Sequence, residues 1–144
     1  MKDQAIKQLS GLPLAYMGDA AWEICVRQTL LERGLTRPKD LHREATAYVS
    51  ARGQAQAMEV LLEGDRLTEE EIRIYKRGRN ASPHTSAKNA SKQDYRVATG
   101  FEALMGYLYL IQPQGRFEDL SQDLDGDKEG IHVFYMAGDI GREF

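Results

Sequence analysis

Cysteine is nearly missing from this 144-residue chain: Cys25 stands alone. One cysteine excludes an internal disulfide framework and a cysteine-rich zinc site. Placed between Ile24 and Val26, it reads as a small buried hydrophobe rather than a nucleophile. Long apolar runs are missing too. None approaches the roughly 20 residues a spanning helix needs, so no membrane partner is expected. The opening MKDQAIKQLSG lacks the apolar core of a signal peptide, which makes the cytoplasm the expected compartment. Strand-like alternation of useful length does not occur before residue 130, and no internal repeat is present. What is left is an ordinary globular composition, 42% hydrophobic with a mean hydropathy of −0.54, in a length suited to one domain.

Net positive charge is also lacking. The chain carries −3, which at first sight argues against a nucleic-acid partner. The charge is unevenly spread, however. Residues 1–111 hold 16 Lys/Arg against 14 Asp/Glu, whereas residues 112–144 hold 3 against 8. Between 73 and 96 stand seven basic residues (Arg73, Lys76, Arg77, Arg79, Lys88, Lys92, Arg96) and one acid, Asp94. A phosphate backbone senses charge within a Debye length of about 10 Å, so the local sign matters more than the total.

The pattern reads as successive helices. The first long one spans Leu12 to Arg33 and stops at Gly34. Thr36 and Pro38 restart a helix that runs to about Ser50. Residues 53–62 continue helically to the turn signal Gly64-Asp65, and Thr68 with Glu71 forms a capping box opening a helix to about Arg77. Residues 78–91 are rich in Gly, Pro, Ser, Thr and Asn and read as a loop. The last strong helix covers about Lys92 to Ile111, before Pro113. The segment 112–144 is acidic and poor in helix signals, and its IHVFYM stretch suits a short strand or an apolar docking patch. Asp123, Asp125 and Asp127 do not make an EF-hand, because the loop's sixth and twelfth positions are Lys128 and Phe134.

Two helices are too apolar for the acids they contain. In LPLAYMGDAAWEICV, apolar residues cover nearly the whole circumference, so burial is expected, yet Asp19 and Glu23 share one face. In VATGFEALMGYLYLI the single charge is Glu102. A carboxylate held out of water costs several kcal/mol unless compensated. Gly18 beside Asp19, with Gly100 and Gly106 flanking Glu102, would let the helices approach until the two acids converge. A hard divalent cation, Mg²⁺ or Mn²⁺, would then be the natural partner. The competing reading is a protonated acid, or one paired with Arg52 or Arg96.

These residues resemble the ribonuclease III family. Ala15-Tyr16-Met17-Gly18-Asp19-Ala20 is similar to the end of its signature helix, and Phe101-Glu102-Ala103-Leu104-Met105-Gly106-Tyr107-Leu108 to its second metal-binding helix. Asp40-Leu41-His42, Val49-Ser50-Ala51, Lys76-Arg77-Gly78-Arg79-Asn80-Ala81, Lys88-Asn89 and Tyr95-Arg96 resemble its Mini-III subfamily in unbroken order across residues 9–111. The resemblance implies an all-α, homodimeric helical bundle of the ribonuclease III catalytic type over residues 1–111, with 112–144 an acidic tail of open role. Residues 112–144 are too few for the double-stranded-RNA-binding domain usual in the family, a lack that defines Mini-III. The resemblance also implies Asp19 and Glu102 as catalytic metal ligands for Mg²⁺, with Mn²⁺ as a substitute. The activity implied is cutting of double-stranded RNA, above all precursor 23S ribosomal RNA, with ribosomal proteins or the assembling large subunit as further partners.

Leu12, Ala15 and Thr99 stand where full-length family members carry additional acids, leaving fewer protein ligands. Glu23 is open between a further ligand and an interface salt bridge. Lys76, Arg77, Arg79, Asn80 and Lys88 are the expected RNA contacts, since A-form duplex is read by shape through phosphates and 2′-hydroxyls. His42 and His84 are read as non-catalytic, and Trp22, Tyr107 and Tyr109 as core or dimer interface. The rival readings are an inactive RNA-binding or ribosome-assembly protein of the same fold, and a helical dimerisation module. The second leaves Asp19 and Glu102 unexplained.

Overall fold

The computed structural model describes residues 1–82 and 91–111, and every regular element in them is an α-helix. In chain order these are α1 (Asp3–Lys7), α2 (Gly11–Glu32), α3 (Pro38–Val49), α4 (Ala51–Glu63), α5 (Glu69–Ala81) and α6 (Lys92–Ile111). No described helix is long and apolar enough to cross a membrane. The tail, its IHVFYM stretch, the Asp123–Asp127 run, His84 and Lys88 lie outside the described residues.

Local signals set most boundaries. Gly34 adopts φ +98°, the left-handed conformation that ends α2, and the Leu35 amide reaches back to the Leu30 carbonyl at 3.1 Å. Pro38 opens α3 in the position where its missing N–H costs nothing. Ser50 ends α3 and caps α4, its Oγ accepting from the Gly53 amide at 3.1 Å. At the start of α5 the Thr68 hydroxyl accepts from the Glu71 amide (3.1 Å) while the Glu71 carboxylate accepts from the Thr68 amide (2.9 Å). In the Gly64-Asp65 turn the positive φ falls on Asp65, at 51°, and not on the glycine.

α6 is the central element and packs against α2, α5 and α4. Trp22 of α2 meets Phe101 of α6 edge to face, with ring centroids 4.9 Å apart, and its indole N–H donates to the Tyr48 carbonyl at 3.0 Å. Around them Leu14, Val26, Leu30, Met58, Leu61, Ile74, Leu104 and Leu108 are buried. Tyr107 is buried with them and Tyr109 is exposed.

The helices depart from the sequence-based expectation in three places. α1 was not anticipated, because five residues are too few for a periodic signal. α5 continues four residues past Arg77, through Gly78, to Ala81. Gly78 does not end the helix; it lets α5 lie against α6, where a Cβ would sit 2.4 Å from the Ala103 Cβ. Finally, α2 is not covered all round. Leu12, Tyr16, Ile24 and Leu31 are exposed, Tyr16 at 83%, along one side of the helix.

Candidate active site

The site begins with a helix crossing. A Cβ on Gly18 would lie 1.7 Å from the Glu102 carbonyl oxygen, and one on Gly106 would lie 2.0 Å from the Leu14 carbonyl oxygen. Only glycine permits that approach, so α2 and α6 touch backbone to backbone at these two positions. Gly100, expected to share the crossing, instead makes room for α5: its Cβ would meet the Tyr75 ring at 2.6 Å.

Asp19 adjoins Gly18, and Glu102 lies one helical turn before Gly106. The crossing therefore brings the two carboxyls within hydrogen-bonding reach of each other. Asp19 is exposed and Glu102 half-buried, so the pair faces water from one side only. Burial pushes the Glu102 carboxyl up to about 8. A hydrogen bond from Gln54 works against that rise, while the Asp19 charge and its hydrogen bond add to it. Gln54 donates through Nε2 to Glu102 Oε2 at 3.1 Å. Among the described residues neither acid is ion-paired; Arg52 and Arg96 are exposed and do not reach them.

The residue set suits a hard divalent cation. Two carboxyls share one partly dry spot with no cation of the protein's own beside them, and burial penalises Glu102 for being charged there. A divalent ion with oxygen preference offsets that penalty. Only these two acids converge: no cluster of three or more His, Cys, Asp or Glu side chains suited to a metal occurs among the described residues. Thr99, where an acid would stand in full-length family members, is tied elsewhere. Its hydroxyl donates to the Tyr95 carbonyl at 3.0 Å and lies 3.2 Å from Ser82 Oγ. Leu12 is exposed and Ala15 buried.

Glu23, one turn beyond Asp19, accepts from Arg27 Nε at 3.0 Å. It lines a groove of about 580 Å³ between α2 and α3, with Leu30, Leu31, Leu41, His42 and Val49. Of the expected RNA-contacting residues, Lys76 and Asn80 are exposed on α5. Arg79 sits over the Tyr75 ring, 5.5 Å from its centroid, with Nε 3.4 Å from Asn80 Oδ1. Arg77 is engaged differently: its Nη1 donates to the Lys7 and Leu9 carbonyls at 3.0 and 2.8 Å, fastening the end of α1. Cys25 is half-buried against the core, consistent with packing.

Sequence reasoning passed over Gln54. The available signal was a glutamine amid the α4 core positions Ala55, Ala57 and Met58, where an apolar residue would be cheaper to bury.

Comparison with known proteins bears on the family and the fold. The ribonuclease III domain family model matches residues 12–113. The chain is 60% identical over 114 residues to the Mini-ribonuclease 3 of Enterococcus faecalis, spanning 79% of this chain and 86% of that protein. It is 45% identical over 119 residues to the Staphylococcus aureus Mini-ribonuclease 3, spanning 83% and 89%. A crystal structure of a Fusobacterium nucleatum protein shares the fold with a TM-score of 0.70 at 31% identity, over 83% of this chain and 93% of that one. Continuous similarity across both glycine-crossed helices and the basic end of α5 places the chain in the ribonuclease III family, in its Mini-ribonuclease 3 branch, and makes it an endoribonuclease of double-stranded RNA.

Proposed function

We propose that Asp19 and Glu102 together hold a divalent cation, Mg²⁺ or in its place Mn²⁺, and that this pair is the catalytic centre for hydrolysing phosphodiester bonds of duplex RNA. The convergence of the two carboxyls at the Gly18–Gly106 crossing, with no basic residue to neutralise them, is the observation that carries the proposal. A bound divalent ion supplies Lewis acidity, which lowers the pKa of water and offsets charge developing on phosphate. The protein's own contribution is geometric and electrostatic. The buried α2–α6 seam excludes water behind Glu102, the exposed Asp19 leaves the front open to substrate, and Gln54 fixes the Glu102 carboxyl. A ligand role for Glu23 is disfavoured, because Arg27 of the same helix already pairs with it.

RNA contact falls to the exposed basic end of α5, with Lys76, Arg79 and Asn80, extended in sequence by Lys88. Arg77 contributes charge there while its guanidinium holds α1. Two copies of the chain associate through the exposed apolar side of α2, formed by Leu12, Tyr16, Ile24 and Leu31, whose side chains stay in water in a monomer. Residues 1–111 form the catalytic domain and 112–144 an appended acidic tail. The substrate we infer is the precursor of 23S ribosomal RNA in the cytoplasm, cut within a duplex of its ends, in the setting of ribosomal proteins and the assembling large subunit.

Purified Asp19→Asn and Glu102→Gln proteins test the assignment on duplex RNA with Mg²⁺. Both should keep their melting behaviour and RNA affinity and lose cleavage. Cleavage retained by either variant would remove that carboxylate from the catalytic centre. If the unmodified protein binds duplex RNA without cutting it, the ribosome-assembly reading takes over.

A further inference from the structure

Gln54 is 2% exposed, inside the seam where α4 packs on α6. Burying a primary carboxamide in an apolar seam is unfavourable unless its groups find partners, and Leu or Met would fill the position without that cost. Among the described residues its carboxamide makes one hydrogen bond, from Nε2 to Glu102 Oε2. The remaining N–H and the carbonyl oxygen of a nearly fully buried side chain therefore have no protein partner there. That pattern is poor for a core residue and suitable for one that serves a neighbouring ligand.

Its placement is rigidly determined. Gly53 lets α4 begin directly against the last turn of α3, since a Cβ there would lie 2.1 Å from the Ala47 carbonyl oxygen. Ser50 Oγ locks the same amide, and Ala55, Ala57, Met58 and Leu61 bury the face on either side of Gln54. The α4 register that puts these residues into the core leaves Gln54 no route to solvent. Its carboxamide is delivered to Glu102 by three packed helices and not by a flexible stem.

We propose that Gln54 is a positioning residue of the active site. It holds one oxygen of Glu102 so that the carboxyl presents a single orientation toward Asp19 and the divalent cation, and it does so as the neutral third member of a site that has only two acids. A carboxamide suits this task where a carboxylate or a lysine would not. A third acid would add repulsion next to Asp19, and a lysine would occupy the place of the cation with its own charge. Gln54 donates to Glu102 without changing the net charge at the crossing. The inference rests on Asp19 and Glu102 being the cation's ligands.

The experiment compares the full-length protein with its Gln54→Leu and Gln54→Asn variants. Mn²⁺ binding is read without RNA by electron paramagnetic resonance of the free ion, alongside melting temperature and Mg²⁺-dependent cleavage. Gln54→Leu should melt at the same temperature or higher, because an incompletely bonded amide has been removed. Its Mn²⁺ affinity should fall by about tenfold or more, the range for loss of an outer partner of a ligating group. Cleavage should need correspondingly more Mg²⁺, with KM for RNA unchanged. Gln54→Asn, one methylene short, should bind Mn²⁺ as weakly while keeping the amide's polarity. Unaltered Mn²⁺ affinity in both variants overturns the positioning role, as does a loss accompanied by an equal fall in melting temperature. If Asp19→Asn leaves Mn²⁺ affinity untouched, the two-carboxylate site itself is wrong, a failure separate from that of Gln54.

Discussion

In the proposed site Glu102 ties cation binding to proton release, and the direction of the effect follows from its environment. With its carboxyl pushed up to about 8, the side chain is about nine-tenths protonated at pH 7 in the metal-free protein. A carboxyl that ligates a cation must give up that proton. Binding at pH 7 should therefore release most of a proton, and apparent affinity should rise with pH until about 8 and level off above it. Titration calorimetry of Mn²⁺ in buffers of different ionisation enthalpy counts the protons directly. The same shift acts on the metal-free fold. Because the folded state holds the proton more tightly than the unfolded chain, the stabilisation is complete below about 4.5 and is lost as pH rises through about 8. Its slope approaches about 1.4 kcal/mol per pH unit within that window. Mg²⁺ should reverse the loss at high pH. Calorimetry showing no proton release at pH 7, with affinity flat from pH 6 to 8, would refute the placement of Glu102 in a water-poor seam.

Other perturbations separate the roles of individual residues. Gly18→Ala should force α2 and α6 apart, costing about 3 kcal/mol and more than about 10 °C of melting temperature, together with cleavage. Gly34→Ala, strained only by its left-handed backbone with nothing within 4 Å, should cost roughly 1 kcal/mol and leave cleavage intact. Arg77→Ala should lower stability by about 1–2 kcal/mol through the two released carbonyls of Lys7 and Leu9, visible in a thermal melt without RNA. Lys76→Ala should leave the melt unchanged and flatten the dependence of log affinity on log salt by about one phosphate contact. Ile24→Asp, on the exposed side of α2, should yield a folded monomer in sedimentation velocity; a persisting dimer would move the interface elsewhere.

How far the sequence could be read depended on whether a signal was local. Ser50, the Thr68–Glu71 box, Pro38 and Gly34 act through hydrogen bonds and dihedral angles of their immediate neighbours, and the helices begin and end where these residues imply. Gly78 misled for the opposite reason. A glycine in a polar stretch marks a helix end when only the chain is visible, but here it serves packing against Ala103, 25 positions away. The composition of α2 misled similarly. An apolar circumference implies burial, and periodicity cannot distinguish a side buried in the core from the side on which we propose that a second copy docks. Leu12, Tyr16, Ile24 and Leu31 are apolar and exposed.

The candidate site shows the same division. Asp19 and Glu102 stood out because each is an acid in an apolar helix, an anomaly of composition that needs no structure. Of the three glycines expected to join them, Gly18 and Gly106 make the crossing, while Gly100 belongs to Tyr75. Gln54 was invisible because glutamine on a helix is ordinary until its burial is known. Yet the three features are one physical device. Backbone contact at Gly18 and Gly106 draws Glu102 out of water, and that desolvation is what raises its proton affinity. Gln54 then offsets part of the cost with a neutral donor and leaves the rest to be relieved by a cation. The desolvation cost left on Glu102 is what a cation in the proposed site would relieve. An arginine in place of Gln54 would settle the carboxylates and, by the same charge, exclude the ion that we propose they hold.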